Sequence, residues 1–591
     1  MKRLTFALVA LSLIALLFAA SVPAQQTSVK AYAHTLYVST SGSGSTCSVG
    51  APCSITGVQT IERSDSKPDI VLLRGGTYTL GATLAFTAAD SNSTWQAYPG
   101  ETPVISGGVD LTTGWTLDSG SVYKRTWSGH SRQLWVNGTR ATRSRTAATS
   151  GLWTTTANPM TAPDSTIAGF ARPQDVELVD ETVWAINRIH VASATGTAVT
   201  GVAQEYANGR YHPTTRIDDV NWYENARELV TAQGYWYHNR NSNTLYYYPR
   251  SGETPNTTTV IGGTSVETLL TVTDTLGGSP LNLSFRGLTF SFATWVDPDA
   301  SGYATQQSGI VYRSASGTAG AGGTATFVRV PGAVSVEQAN GVTFAGCTFT
   351  HLGAAAVSLR YGAKYVTIEG CTFSDVSGSG VEIGDVTAGT EGSAPANQQL
   401  SYNVVRNNLF SSHGVEYEDG PAVVVWYADH TTIEHNDVTS APWSGITCGW
   451  GWTNAVTVAG NNTIRFNRVS AYGQRLHDVG AIYLNGYQPG TIVAQNYAYG
   501  SPYIGGTNAG IYLDNGVTGV TVDQNVVDTF GLYGFFVQAI SIAATGNTLT
   551  NNYRTSSGSG DSIGPSNTNT GMTVGALGAA AIAIRDNAGR Q

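Results

Sequence analysis

Lysine is nearly missing from this chain: beyond Lys124 the only one is Lys364. Charged residues make up 12% of the 591, and the formal net charge is −9. A nucleic-acid partner needs clustered basic side chains, so that role is excluded. A track for a polyanion would rest on scattered arginines. The five cysteines are too few for a disulfide-built fold. None stands in a CxxC or Cys/His spacing that suggests zinc, and His430 and His435 lack the i,i+2 or i,i+4 spacing of a ligand pair. No metal site or cofactor follows from these residues, although a structural calcium ion is compatible with them. After the N-terminal region no segment approaches the ~20 apolar residues that span a bilayer, and helical periodicity is absent too.

What is present points outward from the cell. The chain is 41% hydrophobic with 69 glycines and 29 tyrosines, a composition that suits an extracellular all-β protein. Met1-Lys2-Arg3, the apolar stretch Leu4 to Ala20 and Val22-Pro23-Ala24 read as a signal peptide over residues 1–24. The expected mature protein is secreted, soluble, free of the membrane and monomeric.

One pattern recurs through the second half. An apolar residue is followed three places later by Asn at Val405/Asn408, Ile433/Asn436, Ile464/Asn467, Val493/Asn496, Val522/Asn525 and Ala544/Asn547. Cysteine fills the same slot at Phe344/Cys347 and Ile368/Cys371. Steps of this length, in segments rich in Val, Ile, Thr and Phe, mean stacked strand units that cannot bury an apolar face alone. The expected fold is an all-β, right-handed parallel β-helix. Residues 25–125 would form the N-terminal cap and first coils, 126–262 an inserted β-rich subdomain, 263–556 the main helix and 557–591 a C-terminal tail. Within the tail, 573–584 reads as a capping strand. Cys47 and Cys53 flank a turn and can form a local disulfide. Cys347 and Cys371 would stack about 4.8 Å apart, either as a disulfide or as buried thiols.

The second strand of each coil aligns on Val357, Val381, Ile446, Ile482, Ile511 and Phe535. Side chains alternate across a strand, so the residues one and three places on point away from the core. That column holds Arg360, Glu382, Trp426, Tyr483, Asn485, Tyr512, Asp514 and Gln538. Aromatics interleaved with carboxylates and amides suit a carbohydrate, which needs flat apolar surfaces and hydroxyl partners. Asp478 and Asp514 fall on neighbouring coils, placed for the acid and nucleophile work of glycoside cleavage. The bland alternative for Asp514 is an Asx-turn before Gly516. Glu382, Trp426, Tyr483, Asn485, Tyr512 and Gln538 are the candidate substrate contacts. Trp443, Trp450 and Trp452 are candidate stacking platforms at the groove edge, with loop packing as the alternative. Glu416, Glu418 and Asp419 read as a solvated acidic loop.

"RQLWVNGTRATRSR" (132–145), "TAQGYWYHNRNSNTLYYYPRSGE" (231–253), "SGITCGWGW" (444–452), "DVGAIYLNGYQPGTIVAQNYAYG" (478–500) and "GIYLDNGVTGVTVDQNVV" (510–527) resemble glycoside hydrolase family 141, of the α-L-fucosidase and xylanase type. The resemblance spans residues 35 to 555 and implies an acidic pair at Asp478 and Asp514. Val479 and Asn515 depart from the family pattern without removing a carboxylate. The expected activity is hydrolysis of a glycosidic bond in a plant or microbial polysaccharide or oligosaccharide. Two other readings fit the same scaffold: a polysaccharide lyase or epimerase using Arg360 or Arg475, and a non-catalytic carbohydrate-binding surface protein.

Overall fold

The computed structural model describes residues 34–64, 67–263, 266–386, 391–502, 505–556 and 558–591. The signal-peptide segment lies outside them. Three parallel sheets of 13, 12 and 11 strands run the length of the molecule, each coil adding one strand to each sheet. A typical coil consists of Thr463–Arg465, Arg468–Ser470 and Val479–Leu484. This is a right-handed parallel β-helix.

Rung-to-rung pairing is in register along the apolar slot, from Phe344 through Ile368, Val405, Ile433, Ile464, Val493 and Val522. At the turn between the first two sheets, buried asparagines hydrogen-bond coil to coil. The Nδ2 groups of Asn408, Asn436, Asn467, Asn496 and Asn525 each donate to the next amide oxygen at 2.9–3.1 Å. Each asparagine oxygen also accepts a backbone N–H of the preceding coil, so a buried turn leaves no backbone donor bare. The ladder ends on Asn552, because Val522 pairs with Leu549. Asn547, expected as the last step, belongs to a parallel ladder with Asn567. Phenylalanines fill the core where coils repeat them: Phe349, Phe373 and Phe410 stack at 4.8 and 4.4 Å.

Cys47 and Cys53 form a disulfide, whereas Cys347 and Cys371 are free buried thiols with the Cys347 amide donating to the Cys371 sulfur. The C-terminal residues extend the coils through Gly560–Ile563, Thr568–Thr570 and Thr573–Val574. Of the stretch expected as a capping strand, Thr573–Val574 is a strand, while 579–584 belongs to the helix Ala579–Asn587, which packs on Tyr497 and Val526.

The chain leaves the coil twice. The first excursion starts at Gly108–Asp110 and returns at Val260–Gly263, earlier than the boundary read at residue 126. The second was not foreseen. After Thr289–Ser291 the chain builds Tyr303–Gln307, Ile310–Ser316 and Thr324–Arg329, which join the first excursion's sheet beside Ala185–Thr195. Their alternating Thr, Val and Tyr carry the same period as coil strands, so periodicity cannot tell the two apart.

Candidate active site

The expected columns exist: Tyr483 lies between Thr447 and Tyr512 in the third sheet, facing away from the apolar Ile482 and Leu484. Asp478 ends the irregular loop before Val479–Leu484. Its φ of 51° is a left-handed conformation that short polar residues tolerate. The Trp443 indole fixes that turn by donating to the His477 and Asp478 carbonyls at 3.1 and 3.2 Å.

Asp478 and Asp514 meet at one tyrosine. The Tyr512 hydroxyl lies 3.1 Å from Asp478 Oδ1 and 3.3 Å from Asp514 Oδ1. Those two oxygens are therefore at most 6.4 Å apart, the sum of the two legs. The environments differ. Asp514 accepts a 2.5 Å hydrogen bond from Tyr483 and further ones from the Asn515 backbone, Gln538 and Tyr512. Burial raises its pKa, and these donors pull against that rise. Asp478 has fewer donors, Tyr512 and Thr507. Burial, then the charge of Asp514, pushes its carboxyl up to about 7. Both tyrosine hydroxyls are held well above their ordinary pKa by burial and by these carboxylates, so they remain donors. Asp514 is buried, 5% exposed, and Asp478 is half-buried.

The other expected contacts divide. Tyr483 and Tyr512, expected to face outward but buried, and Gln538 converge on the pair. Asn485, two residues past Tyr483, is likewise buried, its Oδ1 without a protein partner. Trp450 is half-buried and packs edge-on against Trp452, whose indole donates to Tyr483 at 3.1 Å. Three expectations fail. Glu382 is fully buried, ion-paired with Arg329 at 2.9 Å and hydrogen-bonded by Ser358. Trp426 is fully buried among Ile310, Val386 and Val424, under the Arg329 guanidinium. Trp443 is also fully buried and acts through its indole N–H, not through an exposed face. The cause is shared for the first two: the second excursion covers the upstream part of the outward column. The acidic loop is not solvated either. Asp419 is fully buried, accepting from Gly309 and Tyr303, and Glu416 takes Arg140, Gln133 and Ser377.

Sequence reasoning missed the contributions of the two excursions. Gln307 hydrogen-bonds Tyr483, and the Trp184 indole donates to the neighbouring Gln306 carbonyl at 3.0 Å. The His477 amide donates to the Val183 carbonyl at 2.5 Å, so the 182–185 turn is tied to the residue beside Asp478. No local signal marks these contacts, which join residues from 122 (Trp184 to Gln306) to 294 (Val183 to His477) positions apart. A carboxylate–histidine cluster between the two excursions, Glu177 and His190 from the first and Asp299 from the second, has ligand-like spacing. Arg132 and Arg143 pair with both of its carboxylates, so the donor set is already neutralised and fits a cation poorly.

Two family models match the chain: the right handed beta helix region over residues 332–474 and the GH141 insertion domain over residues 115–250. Among solved structures, one described as a glycoside hydrolase superposes with a TM-score of 0.75 at 22% identity, covering 95% of this chain and 99% of its own. XylC in complex with xylose matches at a TM-score of 0.47 and 10% identity, over 91% of this chain and 86% of its own. The pectate lyase Pel9A matches at 0.36 and 10% identity, over 90% and 78%. A comparison with curated proteins gives no match. Shared β-helix, shared insertion domain and end-to-end superposition agree: the chain is a GH141-like right-handed β-helix protein.

Proposed function

We propose that the chain is an exported glycoside hydrolase whose acidic pair is Asp478 and Asp514. The observation that carries this reading is the Tyr512 bridge, which brings two carboxylates with different donor sets together on adjacent coils. Asp478, pushed up to about 7, is the general acid that protonates the leaving oxygen. Asp514, with four donors to its carboxylate, is the ionised partner. Their Oδ1 atoms lie within 6.4 Å of one another, a closeness compatible with the ~5–5.5 Å carboxyl separation of retaining enzymes. Asp514 is thus assigned the nucleophile's role: it attacks the anomeric carbon as the glycosidic C–O bond breaks and the Asp478 proton passes to the leaving oxygen. Water then opens the glycosyl ester, giving its proton to Asp478.

The glycosidase found similar in structure supports the scaffold, and the GH141 insertion domain supports the reaction class. Export is supported by the Cys47–Cys53 disulfide, which fits an oxidising compartment. No helix among the described residues is long and apolar enough to cross a membrane. A lyase or epimerase ranks second, because the groups that act on the two carboxylates are Tyr483, Tyr512, Thr507, Gln538 and the Asn515 backbone, with no arginine or lysine among them to serve a uronate. The test is a screen of xylan, fucosylated pectic and galactosidic substrates with the parent chain and Asp514→Asn. Expected is sugar release in the parent and at least a thousandfold loss in the variant. Release unchanged by the substitution, or unsaturated product absorbing in the ultraviolet, defeats the assignment.

A further inference from the structure

A cavity of about 180 Å³ opens between the first excursion and the coil loop 415–418. That is far more than the ~10–15 Å³ that holds one water. Five arginines, Arg145 and Arg188 among them, line it with three glutamates, Glu224, Glu416 and Glu418, and Trp222 lies along one side. Much of the charge is spent on structure: Arg188 pairs with Glu224 at 2.7 Å, and Trp222 donates to Glu224 at 2.9 Å.

Some of the wall is not spent. Glu418 is 8% exposed, and its Oε2 has no hydrogen-bond partner in the protein. Glu416 Oε1 and Arg188 Nε are likewise buried and unpartnered. Arg145 is exposed, lies 5.3 Å from the Trp222 ring centre, and has no carboxylate partner among the described residues. Buried polar atoms without partners are costly, and native proteins leave few. Several around one open cavity mark a place where a ligand completes the bonding.

One residue links the cavity wall to the segment of the acidic pair. Arg475, three residues before Asp478, sits 5.8 Å from the ring centre of Trp222, which lines the cavity. It pairs with Glu181, two residues before the Val183 carbonyl that holds His477.

We propose that this cavity is a second glycan subsite, which takes one neutral sugar unit by its hydroxyls. A hydroxyl donates to a carboxylate oxygen and accepts from a guanidinium, so alternating glutamates and arginines match a vicinal diol. Arg132, Arg140, Arg143 and Arg188 of the wall are each already paired with a carboxylate, so a sugar acid would find little unspent positive charge there. The subsite's role in positioning a chain for cleavage rests on the glycosidase reading; its ability to bind a sugar does not.

The test is calorimetric titration of the full chain carrying Asp514→Asn with D-xylose, D-galactose and L-fucose, and with D-galacturonate as the charged comparison. Expected is one-site binding of at least one neutral sugar, weakened at least fivefold by Glu418→Ala and by Arg145→Ala. Arg145 is on the surface, so that variant keeps the test valid should Glu418→Ala fold poorly. The proposal is overturned if no neutral sugar binds, if binding is indifferent to both substitutions, or if D-galacturonate binds more tightly. A chain that hydrolyses nothing yet binds sugar through Arg145 and Glu418 would lose its catalytic assignment and keep the subsite.

Discussion

At the scale of single residues, one phenol hydroxyl sits between two carboxylates and can donate to only one at a time. Tyr512 therefore stabilises whichever of Asp478 and Asp514 is charged, and its bond lowers the pKa of both. The general acid must carry its proton, so activity should fall as pH rises through about 7, the region in which Asp478 ionises. Tyr512→Phe removes a donor to the charged forms. Both carboxyls should then titrate higher, moving the alkaline limb of kcat/KM upward, while kcat drops about tenfold, as expected when a hydrogen bond to a charged group is lost. A pH–rate profile of the two proteins decides this, and an alkaline limb that stays in place would remove Tyr512 from the chemistry. The pair was legible in the sequence because "HDVGAIYLNG" and "AGIYLDNG" repeat the same strand one coil apart. The difference in solvation between the two aspartates was not, because it arises from Tyr483, Gln538 and Thr507, whose directions depend on the folded loops.

At the scale of elements, the Asn slot announces the coil and also does the physical work of closing it. Asn467 Oδ1 accepts both the Asn436 backbone N–H and its Nδ2, while its own Nδ2 donates to the Ile433 carbonyl and to Asn496. Asn467→Ala would leave these donors and acceptors unmet inside a fully buried turn. The expected cost is at least about 2 kcal/mol, at ~1–3 kcal/mol for a buried group left unsatisfied. Thermal unfolding followed by circular dichroism measures it, with Asn454→Ala at an exposed loop position as the control. The repeat made the coil readable, yet the last step was misassigned to Ala544/Asn547. Near the C-terminus Leu549-Thr550-Asn551-Asn552 and Ala544-Thr545-Gly546-Asn547 both satisfy the pattern, and only strand register selects the first. The second excursion was invisible for the opposite reason: its strands look like coil strands, and the antiparallel pairing that distinguishes them is tertiary.

At the scale of the whole molecule, the site exists because two excursions fold back onto a coil that would otherwise present an open face. Charge holds them there. Glu177 receives Arg132 through both guanidinium nitrogens at 2.8 and 2.9 Å, pairs with Arg143, and lies 3.4 Å from His190. Asp299 brings the second excursion to the same guanidiniums, and Arg188 and Arg140 carry the network to Glu416 on the coil loop. Glu177 is fully buried, so its removal strands cationic groups that water cannot reach. Glu177→Gln should cost about 3–5 kcal/mol, the range for breaking one side of a buried ion pair. Burial raises the Glu177 pKa, and the charges of Arg132 and Arg143 outweigh it, leaving the carboxyl well below its ordinary value. A depressed folded pKa means that the stabilisation is complete above the unfolded value of about 4.3 and is lost as pH falls through the lower folded one. Hydrogen exchange gives the decisive reading. The strands Glu177–Thr182 and Ala185–Thr195 should lose protection in Glu177→Gln while the coil strands keep theirs. Hydrolysis should fall in the same variant, because Val183 and Gln307 would no longer be held against His477 and Tyr483. Uniform loss of protection across coil and excursions would show instead that the network serves the entire fold and not the docking of its covering layer.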